Sequence, residues 1–599
     1  MNSYRFGCNL LFALSPVLIA GCISDSAASR KPSSAIIIED AYPDKAAYHP
    51  GENAAINLVI RNISAIYFRG SLVVKLIHLA SEIDRSVHPI EISAGAVFEA
   101  QVDLHLPQED FRGYGVEIEI DNPSGDKIAY ASTALDVLSD WSLAPRYGFL
   151  ADFSPGEPNS IEKVKQLSKY HINVVQFYDW MYRHYQLLPP KDRVEFTDGM
   201  GRRLSIETVK HKIDLCHVQN MAALAYGAVY GAEPEFFNAH PELALYKPDG
   251  TPESIEKLFY IMDIRRVSPW HDLIIGEYIR AVTELPFDGI HMDQYGFPKR
   301  AFAGGKEGEL VELDNLFGPL IDDSARAIRD KKPSAKVIFN SVNNWPTEKV
   351  ADSDQAAVYI EVWPPHNSFS DLKRLIINAK EACRRKKQVI LAAYMSPLFS
   401  AKKESLEQAE TAARLTTAAI FASGGFHLLL GEKDGALCDA YYPKYATLRP
   451  EFARIMRDYY DFFVRYENWL VDKNLIDVSE KELSNEGLVQ LGLDNFGYKG
   501  RSGEVWTIIH AFKDFLTINL VNFTGLLNDY WNLPHKKPQA VKRIPVEIKR
   551  KIGKVYLASP DYNRGTALEL ETNYSSGVTR FIIPELSCWS LVIIRNWNG

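Results

Sequence analysis

From Trp141 onward, short apolar runs alternate with amphipathic stretches for about 320 residues, and this rhythm restricts the possible folds more than any other feature of the sequence. Eight runs read as strands: Tyr147 to Asp152, Asn173 to Tyr178, Ala222 to Ala228, Gly289 to Asp293, Lys336 to Asn340, Ala357 to Glu361, Val389 to Tyr394 and Gly425 to Leu430. Between them, Ile161 to Tyr170, Ile206 to Gln219, Trp270 to Leu285, Leu320 to Lys331, Leu372 to Lys386 and Leu406 to Ala422 carry apolar residues at steps of three and four. That spacing gathers them on one helical face. Strand then helix, repeated over such a length, predicts an α/β fold of the (β/α)8 TIM barrel type over 141–470. The connection from Trp180 to Asn220 is expected to form an elaborate loop over the barrel mouth.

The flanks have a different period. From Ile36 to Val137 apolar and polar residues alternate, as in Ile56, Leu58, Ile60 and in Val116, Ile118, Ile120, the pattern of half-buried strands. Turn signals such as His49-Pro50-Gly51 punctuate them, predicting an immunoglobulin-like β-sandwich over 35–140. After a helix from Pro450 to Asn468, strands return at Val505 to His510, Phe515 to Asn522, Lys554 to Ala558 and Val578 to Ile583, predicting a second β-sandwich over 471–599.

Arg5 and the apolar run from Leu10 to Ala20 precede Ile19-Ala20-Gly21-Cys22, a short export signal closing on small residues and a cysteine. This predicts a signal peptide over 1–21, lipidation at Cys22 and a Ser/Ala-rich tether over 22–34. The expected location is the outer membrane of a Gram-negative-type bacterium, held by two acyl chains. Cys216, Cys383, Cys438 and Cys588 lack metal-ligand spacing and are expected as buried thiols; no metal or cofactor is expected. A net charge of -9 without a basic block excludes a nucleic-acid partner, whose phosphates demand clustered Lys and Arg. Aromatic residues make up 12% of the chain, which suits a neutral carbohydrate whose C–H faces stack on rings.

In a barrel, the residues that end strands face the active site. Asp293 ends the fourth run and Glu361 the sixth, with His291, Gln294 and Trp363 beside them in place of Lys or Arg. Such a pair can serve as nucleophile and acid/base in retaining glycoside hydrolysis; alternatively each merely caps a helix or pairs with an arginine. Asp288 competes, but it opens its strand and belongs at the opposite end. A second cluster, Tyr178, Asp179, Trp180, Arg183 and His184, follows the second run. It offers hydroxyl-binding groups and rings for stacking, or else simple packing and a local ion pair. Tyr226, Asn340, Asn343, Tyr394, His427 and Glu432 complete a predicted polar rim.

On Phe177-Tyr178-Asp179-Trp180-Met181-Tyr182-Arg183-His184, on Phe287-Asp288-Gly289 with Asp293, and on Tyr359-Ile360-Glu361-Val362-Trp363, with weaker support from Tyr441-Tyr442-Pro443, the chain resembles glycoside hydrolase family 66. That family comprises dextranases and cycloisomaltooligosaccharide glucanotransferases. The resemblance spans both sandwiches and the barrel. It implies dextran and isomaltooligosaccharides as substrates, α-1,6-linkages, a retaining mechanism, Asp293 as nucleophile and Glu361 as acid/base. One departure is Met292, where many members carry Gly before the nucleophile. Cyclising members generally insert a carbohydrate-binding module in the barrel region, and no connection here is long enough for one. The resemblance therefore implies endo-acting hydrolysis, with the cyclising transferase and a non-catalytic glycan-binding surface lipoprotein as alternatives.

Overall fold

The computed structural model describes residues 35–157, 160–305 and 307–597. Cys22, the signal peptide and the tether lie outside the described residues.

The centre is a mixed α/β layer built on one large curled sheet. Its parallel strands run in chain order: Tyr147–Leu150, Val174–Phe177, Ala222–Ala228, Gly289–Asp293, Lys336–Val342, Val358–Glu361 and Val389–Ala392, called strands one to seven below. The next segment is split. Phe426–His427 pairs with strand seven, and Leu430–Gly431 pairs with strand one, so the row returns to its start. Strands one, two, six and seven are buried at every position, which explains why their sequences read as continuous apolar runs without alternation. The helices between them cover the outer face. The helix Pro269–Glu284 starts at Ser268, whose side chain accepts from the Trp270 amide, and carries proline in its first turn. The helix Phe369–Ala382 opens with a capping box between Ser368 and Asp371. Where strand four begins, a β-carbon on Gly289 would stand 1.8 Å from the Lys336 carbonyl oxygen of strand five, so only glycine admits this approach.

Two sandwich-like pairs of mainly antiparallel sheets flank this centre. On the N-terminal side, a three-stranded sheet faces a four-stranded one over a core of its own that includes Ile56, Leu58, Leu76, Val116 and Ile118. On the C-terminal side a larger sheet faces a four-stranded sheet across Ile509, Ile518, Val546 and Val592. The 21-residue helix Pro450–Leu470 joins all three parts. Its Asp461 accepts from Thr133 of the N-terminal module at 2.8 Å, and its Tyr466 hydroxyl donates to the Gly565 carbonyl of the C-terminal one at 2.7 Å. Gly113 lets the helix come close, since a β-carbon there would meet the Val464 carbonyl at 1.8 Å.

The connection between strands two and three holds the hairpin Glu195–Thr197 with Arg203–Ser205, as well as the helix Ile206–Val218. The longest later connections hold two small three-stranded sheets. Among the described residues none contains an inserted sandwich. All four described cysteines are free and buried.

Candidate active site

At the end of the curled sheet where its strands finish, a cleft of about 690 Å3 opens. Asp293 is the last residue of strand four and Glu361 the last of strand six; Asn340 stands between them on strand five. The Asn340 side-chain amide donates to Asp293 Oδ1 at 2.7 Å and to Glu361 Oε2 at 2.8 Å. One nitrogen therefore bridges both carboxylates, and their facing oxygens can be no farther apart than those two bonds laid end to end. Retaining glycosidases require about 5 to 5.5 Å between the two carboxyl groups, a separation within this limit. Two tyrosines hold the far oxygens: Tyr226 donates to Asp293 Oδ2 at 2.7 Å and Tyr394 to Glu361 Oε1 at 2.6 Å.

Burial pushes both carboxyls above the usual carboxylate range. Asp293 rises to about 7 through burial first and the Glu361 charge second, against the donors Tyr226 and Asn340. Glu361 is raised by burial and held back by Tyr394, Asn340 and Trp363. A pair in which one carboxyl is ionised while its neighbour keeps a proton is what coupled nucleophile and acid chemistry uses near neutrality.

Around this pair the cleft is aromatic. Tyr178 lies flat on Tyr442, centroids 4.3 Å apart and 12° between planes. Tyr442 in turn shares a 2.8 Å hydrogen bond with the Tyr359 hydroxyl. Trp363 sits at the mouth, 37% exposed, with Tyr394 5.4 Å behind it. On the other side Asp179 adopts φ 49°, an uncommon conformation for a non-glycine residue, and turns the chain sharply after strand two. Burial pushes the Asp179 carboxyl up to about 6, against the pull of Arg202 3.7 Å away. His184 contacts Glu233 through Nδ1 at 3.0 Å. Burial opposes its cation, but Glu233, Asp179 and Asp293 outweigh it and raise the imidazole above its ordinary value.

Of the residues expected at the site, the structure brings Tyr178, Asp179, His184, Tyr226, His291, Gln294, Asn340, Asn343, Trp363 and Tyr394 to the cleft with Asp293 and Glu361. His291 and Gln294 support it from below: His291 Nδ1 bonds the Tyr147 hydroxyl at 2.9 Å, and Gln294 spans the carbonyls of Asn340 and Trp345. Four expectations are corrected. Trp180 does not line the cleft; it is fully buried, donates to the Tyr226 carbonyl at 3.1 Å and packs on Phe287. Arg183 turns away to Glu235 at 2.8 Å and to the Thr197 carbonyl. His427 is buried between Thr417 and the Ala393 carbonyl. Glu432 is wholly buried, accepting the amides of Ala151 and Asp152 and pairing with Lys212. The competitor Asp288 lies at the strand-beginning end, bonded to His217 at 2.8 Å.

Phe259, Tyr295 and Lys299 also line the cleft, and Arg202 and Glu233 hold Asp179 and His184 from behind; the sequence marks none of the five. They come from the hairpin and from the long connections, where no period marks a residue as facing the cleft.

The model of Glycosyl hydrolase family 66 matches residues 43–593. A cycloisomaltooligosaccharide glucanotransferase from Niallia circulans is 24% identical over 93% of this chain and 72% of its own length. A dextranase from Streptococcus salivarius is 25% identical over 81% of this chain and 67% of its own. Among solved structures, a cycloisomaltooligosaccharide glucanotransferase from Paenibacillus sp. in complex with cycloisomaltoheptaose superposes with a TM-score of 0.84 at 22% identity, covering 93% of this chain and all of that one. With a family model matched along almost its whole described length, the chain belongs to glycosyl hydrolase family 66.

Proposed function

We propose that the protein is a retaining, endo-acting hydrolase of α-1,6-glucosidic linkages in dextran, releasing linear isomaltooligosaccharides. The observation that carries the proposal is the Asn340 bridge between Asp293 and Glu361 at the cleft floor. In this mechanism an Asp293 oxygen attacks the anomeric carbon while Glu361 gives its proton to the departing glycosidic oxygen. The C–O bond breaks and a glycosyl ester forms on Asp293. Glu361, now ionised, takes a proton from water as that water attacks the same carbon and frees Asp293. Asp179 and His184 bind hydroxyls on one side of the pair, and Trp363 and Tyr178 offer rings for stacking. The curled sheet is read as a (β/α)8 barrel over 141–470, flanked by an immunoglobulin-like sandwich over 35–140 and a second sandwich over 471–599. Cys22 is read as a diacylated anchor to the outer membrane.

Cyclisation is the competing outcome, because similar proteins named above include cyclising transferases. Among the described residues the central connections hold small sheets and no inserted module of the kind expected of a cyclising member, which favours hydrolysis. The test is the product profile on dextran: linear oligosaccharides with retained anomeric configuration are expected. Cyclic products would replace hydrolysis by transfer, inverted products would remove Asp293 from its role, and binding without turnover would leave a glycan-binding lipoprotein.

A further inference from the structure

Where the N-terminal module, the joining helix and the C-terminal module meet, the protein holds a second cavity of about 460 Å3, within the size range of small-ligand sites. It lies at the other end of the curled sheet from the cleft. Its lining includes Asn468 and Asp472 at the end of the helix Pro450–Leu470, and the adjoining Val471 carbonyl accepts from Gln388, the residue before strand seven.

Four half-buried rings from all three parts wall it: Phe111, Trp469, Phe512 and Phe515. Phe512 and Phe515 stand 5.3 Å apart at 72°, forming a corner at the tip of one hairpin. His78 backs Trp469, stacked at 4.9 Å and 27°. The lining carries both charges, Asp110, Asp472 and Asp514 against Arg112, Lys513 and Arg595, so the cavity favours neither anion nor cation. Burial pushes the His78 imidazole down to about 4, which leaves it neutral. Rings for stacking and charged groups of both signs match a neutral ligand with flat C–H faces and many hydroxyls.

We propose that this junction cavity is a second glucan-binding site, separate from the cleft, that holds the polymer during cleavage. Its substrate class rests on the function proposed above. Two sites at opposite ends of the molecule favour long chains over short ones, because only a long chain engages both at once.

The experiment titrates linear isomaltohexaose into Asp293→Asn protein, with and without Phe512→Ala and Phe515→Ala. Two sites are expected in the first and one in the second. In otherwise unmodified enzyme, the same two ring deletions should raise KM for long dextran about fivefold and leave kcat/KM on isomaltotetraose unchanged. Asp514→Ala, an exposed change on the same hairpin, should act in the same direction should the ring deletions impair folding. A single site in Asp293→Asn protein, or an unaltered KM for long dextran, overturns the proposal. Failure of the unmodified enzyme to cleave dextran counts against the proposed function, while the titration still decides whether the cavity binds glucan.

Discussion

At the residue scale, the decisive feature is that two carboxyls are kept too close and too dry to be ionised together. This has a consequence for stability with a definite sign. Burial and the neighbouring Glu361 charge raise the Asp293 carboxyl above its ordinary value in the folded protein. A group raised in this way contributes stability that is fully present below its unfolded value and is lost as pH rises through its folded one. Asp293→Asn removes that dependence. Its melting temperature should therefore gain on that of the unmodified protein as pH rises from 4 to 7, while turnover is nearly abolished; parallel melting curves across that range would refute the assigned environment. Tyr394 gives a second handle. Its hydroxyl donates to Glu361 Oε1 and favours the ionised carboxylate. Tyr394→Phe should raise the Glu361 pKa further and shift the alkaline limb of the kcat/KM profile to higher pH, with little change in the melting temperature. A shift to lower pH would remove Glu361 from the role of acid.

At the element scale, strand ends decide which residues reach the cleft and which do not. Asp293 and Glu361 were legible because each closes an apolar run, and the end of a run is where a parallel strand presents a side chain to the mouth. Trp180 misleads by the same rule. It lies only three residues past Phe177, but Asp179 turns the backbone through φ 49° and sends the indole beneath Tyr226. No apolar period encodes a single left-handed residue. Trp180→Ala should accordingly lower stability by about 3 to 5 kcal/mol, the usual cost of emptying a large buried aromatic site. The folded fraction should keep a normal KM, as thermal melting and steady-state kinetics on the same sample would show. Residues on the small sheets escaped notice for a related reason. Two- and three-residue strands such as Gly231–Ala232 and Ser254–Ile255 are too short to carry a period, so Glu233 beside them gave no signal.

At the scale of the whole molecule, the three parts were visible as changes of period, yet the contacts that lock them together were not. Arg146 is the clearest case. It is 2% exposed and reaches Asp136 of the N-terminal module at 2.7 Å, Glu467 of the joining helix at 3.3 Å and the Ala46 carbonyl at 3.2 Å. In sequence it is one arginine before a strand; its partners lie 10 and 321 residues away. Burial holds the Glu467 carboxyl well above its ordinary value, the Asp136 charge raises it further, and Arg146 opposes both. Removing the cation leaves two buried acids facing each other, and breaking a buried ionic group typically costs about 3 to 5 kcal/mol. Arg146→Met keeps the stem that packs between the modules while deleting the charge, so the loss is electrostatic. Without the guanidinium the Glu467 carboxyl is pushed up further beside Asp136, and a group raised in this way loses its contribution as pH climbs. The deficit of Arg146→Met against the unmodified protein should thus be small near pH 5 and widen toward pH 8. Chemical denaturation across that range is the measurement; a deficit that narrows with rising pH would mean that Arg146 joins the modules by packing and not by its charge.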